Sequence, residues 1–320
     1  MQRCAILDDY QDVALSMADW TPIAGEVEPV VFNDHLDDPA AVAARLKEFP
    51  IVVAMRERTP FDAALIGALP NLELLITTGM RNASIDLEAA ADAGVTVCGT
   101  PSAPGTTAEL TWGLILALLR HIPDEVAGLR ANGPWQTTVG GDLNGKRLGV
   151  VGLGNLGGRV ARVARAFEME VSAWSRSLTD ARAAELGVER CATLEELFGT
   201  ADVVTVHLAL NAETRGLIGA DLLARMKPGA VLVNTARGPI VDEAALIAAL
   251  RARRIAGAAL DVYDPEPLPA DHPFRTLDNL VATPHLGYVT ENTYRAYFAG
   301  AVEDIRAWLD GAPVRVLSAG

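Results

Sequence analysis

Along most of the chain, short runs of apolar residues alternate with longer stretches in which apolar residues recur every three or four positions. The short runs are typical of buried strands, and the longer periodic stretches are typical of amphipathic helices. In the first hundred residues, the predicted strands are CAIL, VEPVVF, IVVAM, LELLIT and VTVCG. Predicted helices lie between them at PAAVAARLKEF, FDAALIGALP and DLEAAADAG. This alternation predicts a parallel sheet with helices packed on both faces.

A second alternating series follows the turn-rich segment GTPSAPGT and a long apolar stretch that predicts one helix ending near HIPDEV. Its predicted strands are KRLGVVGLG, MEVSAW, DVVTVHL, GAVLVNTA, IAGAALDV and NLVATPH. The last predicted helix, NTYRAYFAGAVEDIRAWLDG, is free to return to the first series. We therefore predict an α/β fold with two doubly wound parallel-sheet domains. One domain comprises residues 1–99 plus 288–320, and the other comprises residues 100–287.

One glycine-rich turn joins an apolar strand directly to an amphipathic helix, in KRLGVVGLGNLGGRVARVARAF. Gly152 allows a tight turn, Gly154 lets the backbone approach a pyrophosphate, and Gly157 lets the helix pack closely on the strand. The start of the helix adds unpaired N–H groups and a positive dipole end. The pattern predicts a dinucleotide site; the alternative is a tight turn without a ligand. The predicted loop consists of Gly152, Leu153, Gly154, Asn155, Leu156 and Gly157.

The strand MEVSAW ends where an acidic residue would bind the adenosine ribose of NAD, but no acid stands there. Ser175, Arg176 and Ser177 instead offer one cation and two hydroxyl groups, which suit the 2′-phosphate of NADP. We therefore predict that NADP(H) is preferred, with NAD(H) as the alternative. The competing interpretation is that Arg176 is solvated or stacks on adenine.

Three polar side chains follow three of the predicted strands. Arg237 follows GAVLVNTA, Glu266 follows GAALDV, and His285 follows NLVATP. In an open parallel sheet, these positions share the edge at which ligands bind. A histidine can transfer a proton near neutral pH, a carboxylate beside it stabilises the imidazolium, and an arginine can hold a substrate carboxylate. The set predicts a catalytic site beside the glycine loop; alternatively, each residue is structural, with Arg237 pairing with Asp242.

Composition excludes several other classes of protein. Acidic residues outnumber basic ones by 41 to 27, and the resulting net charge of −14 disfavours a nucleic-acid partner. The three cysteines are scattered without metal-ligand spacing, so we predict no metal and a reduced, cytoplasmic location. The longest apolar run, Leu110–Leu119, is too short to cross a membrane. No carboxylate or metal pattern surrounds the other histidines outside the motifs, so we interpret them as structural: His35, His121 and His272.

Taken together, these motifs resemble the D-isomer-specific 2-hydroxyacid dehydrogenases. The matching pieces occur in the family's order: LLITTGMRNASIDLEAAADAGVTVCGTP, VVGLGNLGGRVARVARAFEMEV, HLALNAETRGLI, NTARGPIVDEAAL, ALDVYDPEP and TPHLG. The resemblance implies that His285 is the general acid/base, that Glu266 is its partner and that Arg237 binds the substrate. The glutamate also disfavours a formate dehydrogenase, which would carry glutamine in its place.

The resemblance also implies how the rest of the chain is used. It implies a Rossmann-type coenzyme domain inserted into a flavodoxin-like substrate domain, and a homodimer formed through the coenzyme domain. In the substrate domain, a loop at Thr78, Gly79 and Met80 would cradle the substrate carboxylate; Arg56 follows a nearby strand and is a further candidate for substrate contact. In the coenzyme domain, the implied cofactor-lining residues are His207, Thr235, Ala236 and Asp261.

The implied activity is reduction of a 2-oxo acid to a D-2-hydroxy acid with a nicotinamide cofactor. Glyoxylate and hydroxypyruvate are the expected kind of substrate, with a bulkier 2-oxo acid as the alternative. The substrate loop reads TGMRNASID where the family commonly has GVGYDNID, so the pocket is expected to differ. Two other interpretations remain open: a dinucleotide-sensing scaffold or corepressor without turnover, and a dehydrogenase of an unusual donor such as phosphite.

Overall fold

The computed structural model describes residues 1–319 and divides the chain into two compact units. The first unit comprises Met1–Pro104 together with the chain from Val289 onward, and the second comprises Gly105–Tyr288. Each unit is built on its own parallel sheet. The predicted fold class, with two doubly wound α/β domains, is therefore confirmed.

The first unit contains a five-stranded sheet in the order β2-β1-β3-β4-β5, and all neighbouring strands run parallel. The order 2-1-3-4-5 is that of flavodoxin-like folds. Its strands are β1 (Gln2–Ile6), β2 (Val27–Val31), β3 (Ile51–Ala54), β4 (Leu74–Thr77) and β5 (Thr96–Gly99). Every residue of β3 and β4 is buried, as expected of central strands covered on both faces.

Four helices cover this sheet: α1 (Pro39–Leu46), α2 (Ala63–Gly67), α3 (Leu87–Asp92) and, at the end of the chain, α11 (Glu291–Leu309). Each begins where a side-chain oxygen accepts hydrogen bonds from the first-turn N–H groups, which is a strong start signal. The capping residues are Asp38, Asp62, Asp86 and Thr290. The first three helices contribute to one apolar core, and α11 packs against β4 and β5.

The second unit contains a seven-stranded parallel sheet in the order β12-β11-β10-β9-β6-β7-β8. Its strands are β6 (Arg147–Val151), β7 (Glu170–Trp174), β8 (Glu189–Arg190), β9 (Val203–Val206), β10 (Val231–Asn234), β11 (Gly257–Leu260) and β12 (Leu280–Ala282). The strand order reverses between β6 and β9, and in such sheets a ligand binds beside that reversal, at the carboxyl ends of the strands. The glycine loop follows β6 and therefore lies at this position.

Seven helices surround the second sheet: α4 (Thr106–Leu119), α5 (Ile122–Arg130), α6 (Asn155–Ala166), α7 (Asp180–Leu186), α8 (Leu194–Thr200), α9 (Ala220–Arg225) and α10 (Glu243–Arg251). Two apolar cores result, one that includes α4 and α6 and another that includes α8, α9 and α10. The helices α5, α7, α8 and α9 and the two-residue strand β8 were not among the predicted elements. His121 adopts a left-handed backbone, with φ of 50°, and this separates α4 from a second helix where one helix was expected to end.

Within residues 1–319, no helix combines the length and the apolar character needed to cross a membrane. The longest apolar run of the sequence lies in α4, where Leu114 and Ile115 are buried in a core. The apolar character of this segment therefore serves packing, as expected for a core helix.

Candidate active site

The glycine loop forms a close junction between β6 and α6. Gly152 has a φ of +99°, and a Cβ there would lie 2.8 Å from the carbonyl oxygen of His207. A Cβ at Gly157 would overlap the carbonyl oxygen of Gly152. Gly154, in contrast, faces open space, because a Cβ there would have no heavy atom within 4 Å. The first and third glycines are thus required by packing, whereas the second leaves space for a ligand beside the backbone.

The start of α6 has the features of an anion site. Gly154 is its N-cap residue and provides no side-chain hydrogen bond to the first turn. The backbone N–H groups of Asn155 and Leu156 donate to no group within residues 1–319. Helix N-termini with unpaired N–H groups bind phosphates, and the open space at Gly154 lies beside the N-terminus of α6. The loop therefore fits the pyrophosphate of a dinucleotide, while Leu153 is buried in the core beneath it.

The three residues after β7 lie on the opposite side of β6 from β9. Ser175 begins a turn closed by a hydrogen bond from the Leu178 N–H, and Arg176 and Ser177 are exposed. Arg176 is not simply solvated, because its guanidinium forms an ion pair with Glu213, which belongs to the loop after β9. Sequence reasoning gave no indication of this acidic partner.

His285 and Glu266 are brought together by the loops after β12 and β11. Nδ1 of His285 lies 2.6 Å from Oε2 of Glu266, and Oε1 of Glu266 accepts a hydrogen bond from the backbone N–H of Tyr263 at 2.9 Å. Within residues 1–319, Nε2 of His285 has no hydrogen-bond partner. A carboxylate that holds one ring nitrogen orients the ring and leaves the other nitrogen to exchange a proton with a ligand.

A buried aspartate holds the turn that carries His285. Oδ1 of Asp261 accepts hydrogen bonds from the Thr283 hydroxyl and the Leu286 N–H, both at 2.7 Å, and Oδ2 accepts one from the Gly287 N–H at 2.8 Å. Burial raises the pKa of Asp261, and these hydrogen bonds lower it. His285 itself has a φ of +53°, a left-handed backbone conformation that is unfavourable for residues other than glycine. The three bonds to Asp261 offset this cost and hold the turn that carries the ring.

Tyr263 connects the loops after β10, β11 and β12. Its N–H holds Glu266, its hydroxyl donates to the carbonyl of Thr283 at 2.8 Å, and its backbone leaves no room for a Cβ at Gly238. Gly238 follows Arg237, so the arginine's loop packs directly against the loop that orients the histidine's partner. Sequence reasoning missed Tyr263, because nothing in ALDVYDPEP distinguishes its role from that of a core aromatic residue.

Arg237 and its neighbours form a turn organised by a buried asparagine. The side chain of Asn234 donates to the carbonyl of Arg237 and accepts from the N–H of Ala236, both at 3.0 Å. Nη1 of Arg237 donates to the carbonyl of Ala236, and the arginine is partly buried. The Thr235 hydroxyl lies 2.9 Å from that of Thr111 and is therefore engaged inside the fold. Asn234 was also missed, since a polar residue ending a strand gives no sign of this role.

His207 differs from His285 because it lacks an acidic partner. Its Nε2 lies 2.9 Å from the Thr205 hydroxyl. Burial lowers the pKa of His207 to about 4, so the ring is neutral near pH 7. Its carbonyl group packs against Gly152, which places the start of this loop beside the glycine turn.

The first unit presents its own candidate groups after β3 and β4. Arg56 has a φ of +53°; its N–H donates to the Thr78 hydroxyl at 2.9 Å and its Nη1 to the Thr78 carbonyl at 3.0 Å. The Thr78 side chain is fully buried. The arginine's guanidinium lies over Gly79, where a Cβ would overlap it. The arginine is therefore held against the predicted substrate loop.

Within that loop, the N–H groups differ in their availability. The N–H of Thr78 donates to the Ala54 carbonyl and that of Gly79 to the Thr100 hydroxyl. The N–H groups of Met80 and of the next residue, Arg81, have no acceptor among the described residues. The part of the loop able to bind an anion through its backbone therefore lies at Met80, the last residue of the predicted stretch, and at Arg81, one residue beyond it.

The remaining histidines do have acidic neighbours, contrary to the expectation from sequence. His35 lies 2.8 Å from Asp8, and His272 lies 2.9 Å from Glu243. His121 lies 4.0 Å from the exposed Asp124. The first two carboxylates come from positions 27 and 29 residues away, so no local pattern reveals them. No three His, Cys, Asp or Glu side chains of residues 1–319 are grouped as a metal site would require.

The chain is similar to known proteins over most of its length. Residues 112–287 match the family model for the D-isomer specific 2-hydroxyacid dehydrogenase, NAD binding domain. A glyoxylate reductase of Aeropyrum pernix is 38% identical over 259 residues, which cover 78% of this chain and 77% of that protein. A crystal structure of a phosphoglycerate oxidoreductase from Vibrio cholerae superposes with a TM-score of 0.93 at 38% identity, over 98% of this chain and 100% of the other.

Longer relatives match as well. A D-3-phosphoglycerate dehydrogenase of Archaeoglobus fulgidus is 39% identical over 266 residues, which cover 82% of this chain but 50% of that protein. The chain thus spans about half the length of the D-3-phosphoglycerate dehydrogenases that it resembles. The family match includes the glycine loop, the His285–Glu266 pair and Arg237. The chain belongs to the D-isomer specific 2-hydroxyacid dehydrogenase family.

Proposed function

We propose that the protein is an oxidoreductase that reduces a 2-oxo acid to a D-2-hydroxy acid with a nicotinamide cofactor. The observation that carries this proposal is the state of the His285 ring. One nitrogen is held 2.6 Å from Glu266, and the other has no partner within the described residues. A histidine so arranged, at the ligand-binding edge of a sheet with a dinucleotide loop, is suited to transfer a proton.

The cofactor supplies the hydride. In the direction of reduction, His285 gives the proton on Nε2 to the carbonyl oxygen of the substrate, and Glu266 stabilises the imidazolium before this transfer. Asp261 and Tyr263 fix the turn and the carboxylate on which that geometry depends. Arg237, whose loop packs against Tyr263, binds the substrate carboxylate and polarises the carbonyl.

For the substrate, we propose a small 2-oxo acid whose carboxylate binds the free N–H groups of Met80 and Arg81. Arg56, held on Thr78 and paired with Glu57 at 3.5 Å, presents its guanidinium to the same loop. Glyoxylate and hydroxypyruvate are the first candidates, with bulkier 2-oxo acids as the alternative. The names of the relatives add 3-phosphohydroxypyruvate to the compounds to be tested.

For the cofactor, we propose that NADP(H) is preferred over NAD(H). No acidic residue follows β7, and Arg176 with Ser175 and Ser177 offers one cation and two hydroxyl groups to a 2′-phosphate. A charge-assisted hydrogen bond of this kind contributes about 1.5–3 kcal/mol, which corresponds to roughly ten- to a hundredfold in affinity.

A spectrophotometric assay tests the activity. Oxidation of NADPH or NADH is followed at fixed concentration with glyoxylate, hydroxypyruvate, 3-phosphohydroxypyruvate and a series of bulkier 2-oxo acids. We expect turnover with at least one of them and a D-configured product. Binding of either cofactor without turnover of any acid would favour a dinucleotide-sensing scaffold instead, and oxidation of phosphite with NAD(P)⁺ would favour the unusual-donor alternative.

We also propose that two copies of the chain associate through the second unit, by way of α5 and the segment after it. Ile122, Val126 and Leu129 follow the i, i+4, i+7 spacing of one helix face and are 46%, 41% and 63% exposed. Trp135 and Val139 beyond them are 78% and 94% exposed. Exposed apolar side chains that share one helix face mark a protein interface, and family resemblance makes a second copy the expected partner.

Sedimentation equilibrium tests the association. The double substitution Val126→Glu with Leu129→Glu places two charges on the exposed face, so we expect a dimer to become a monomer. Leu15→Glu, at a position that is 50% exposed in the first unit, is the control and should leave the dimer intact. A monomeric wild-type protein, or a double variant that remains dimeric, would contradict the proposal.

A further inference from the structure

We infer that Glu213 sets how strongly the cofactor site favours a 2′-phosphate, because its carboxylate competes with that phosphate for Arg176. The inference rests on the proposed function, since it takes the glycine loop to bind NAD(P). It concerns a residue outside the glycine loop and outside the β7 segment that ordinarily determines this preference.

The ion pair joins two loops on either side of the glycine loop. Strand β6 lies between β7 and β9 in the sheet. The Gly152 N–H donates to the Trp174 carbonyl at the end of β7, while a Cβ on Gly152 would contact His207 after β9. Arg176 follows Trp174 by two residues and pairs with Glu213 from the other side. The pair therefore spans the carboxyl end of β6, where the cofactor's adenosine is expected to bind.

The loop that carries Glu213 has a well-defined backbone. The Asn211 side chain accepts hydrogen bonds from the N–H groups of Glu213 at 3.0 Å and of Thr214 at 3.1 Å. The Thr214 hydroxyl, which is buried, donates to the Ala209 carbonyl at 2.8 Å. Since these bonds fix the loop, the carboxylate is presented to Arg176 by the fold and not by a mobile chain.

Two consequences follow for cofactor choice. A 2′-phosphate that binds Arg176 shares the positive charge of the guanidinium with Glu213, and it also meets the negative charge of that carboxylate. A cofactor without the phosphate leaves the ion pair intact and meets a neutralised arginine. The wild-type protein should therefore discriminate less between the two cofactors than Arg176 alone would allow.

Calorimetric titration with 2′,5′-ADP and 5′-AMP tests this without any turnover. Glu213→Gln keeps the shape of the side chain and removes its charge, so we expect the Kd for 2′,5′-ADP to fall roughly three- to tenfold and that for 5′-AMP to change by less than about twofold. Arg176→Gln should raise the Kd for 2′,5′-ADP by about tenfold or more. With Arg176→Gln present, Glu213→Gln should lose most of its effect.

A matched control is available in the first unit. Glu291 pairs with Arg295 on α11, and their side chains are 68% and 55% exposed, against 69% for Glu213 and 55% for Arg176. Glu291→Gln removes the same charge and should leave both Kd values unchanged. Unchanged 2′,5′-ADP binding in Glu213→Gln, or the full gain persisting without Arg176, would overturn the inference. If wild-type protein bound neither nucleotide, the cofactor site itself would be rejected, together with the inference.

Discussion

Two histidine–carboxylate pairs in the second unit show what separates a candidate catalytic group from a structural one. His285 lies 2.6 Å from Glu266 and His272 lies 2.9 Å from Glu243, and the two imidazole side chains are similarly buried, at 16% and 12% exposure. In His272 the second ring nitrogen, Nδ1, accepts the Phe274 N–H. In His285 the second nitrogen has no partner among the described residues. Proximity to an acid and burial therefore do not distinguish the two histidines, whereas the free ring nitrogen does, and it makes His285 the candidate for proton transfer.

His35 of the first unit follows the structural pattern. Its Nδ1 lies 2.8 Å from Asp8 and its Nε2 lies 3.4 Å from Asp37, so both nitrogens are engaged. Asp8 in turn accepts a hydrogen bond from the Thr59 hydroxyl. The hydrogen bond with Asp8 raises the pKa of His35, and burial of the side chain opposes this by lowering it. A histidine whose two nitrogens are satisfied by protein groups is held in place and has no site left for a substrate proton.

The largest expected effect, on kcat, comes from replacing His285 by alanine and comparing it with the same replacement of His272. Because a positioned proton donor contributes about 10²–10⁴ in rate, His285→Ala should lower kcat by roughly that factor while cofactor binding persists. His272→Ala removes a similarly buried imidazole with a carboxylate partner and should leave kcat within about twofold of wild type. Steady-state kinetics of the two variants measure the contrast, and equal losses would show that the free nitrogen is irrelevant.

The partner carboxylate should matter less than the ring itself. Glu266→Gln keeps the side-chain shape and the bond from the Tyr263 N–H but removes the negative charge held 2.6 Å from the His285 ring. We expect kcat to fall roughly ten- to a hundredfold, a part of the whole contribution of the proton donor. Glu243→Gln beside His272 is the matched control and should leave kcat unchanged. A Glu266→Gln variant with full turnover at every pH would remove the carboxylate from the mechanism.

The comparison also explains which parts of the molecule could be predicted from sequence. The strands other than β8, the helices of the first unit, α4, α6 and the glycine loop were predictable because their signals are local: apolar periodicity, N-cap residues and the spacing of three glycines. The convergence of Arg237, Glu266 and His285 at one edge followed from strand ends in a parallel sheet. The free ring nitrogen, the hydrogen bonds of Tyr263 and the Arg176–Glu213 pair were beyond reach, because they depend on contacts between distant segments. The left-handed His121 between α4 and α5 was missed because no glycine marks it.

A smaller effect, on stability, should appear where the histidine is structural. His272 caps a short turn, because its Nδ1 accepts a hydrogen bond from the Phe274 N–H at 3.2 Å. The centroids of the His272 and Phe274 rings are 4.8 Å apart. Loss of such a cap costs about 0.5–2 kcal/mol, so His272→Ala should lower the free energy of unfolding by about 1 kcal/mol. Chemical denaturation measures it. An unchanged denaturation midpoint would show that the hydrogen-bonded ring nitrogens of His272 do not contribute to stability. The distinction between a structural His272 and a candidate catalytic His285 would then weaken.

The smallest expected effect concerns His207, which has no acidic partner and tests what burial alone does to a histidine. Its pKa in the folded protein is about 4, below the value of about 6.5 expected in the unfolded chain. Between these values the unfolded chain binds a proton that the folded protein excludes, so the stabilisation is complete above about pH 6.5 and is lost as the pH falls toward 4. Because residue 207 as a whole is half-buried and solvent screens part of the effect, we expect about 1 kcal/mol between pH 7.5 and pH 5. Denaturant unfolding of wild type and His207→Gln at both pH values isolates this difference, since the other titrating groups are common to both proteins. If the two lost stability in parallel, burial would not keep this imidazole neutral, and the lone histidine would cease to be a reference for the paired ones.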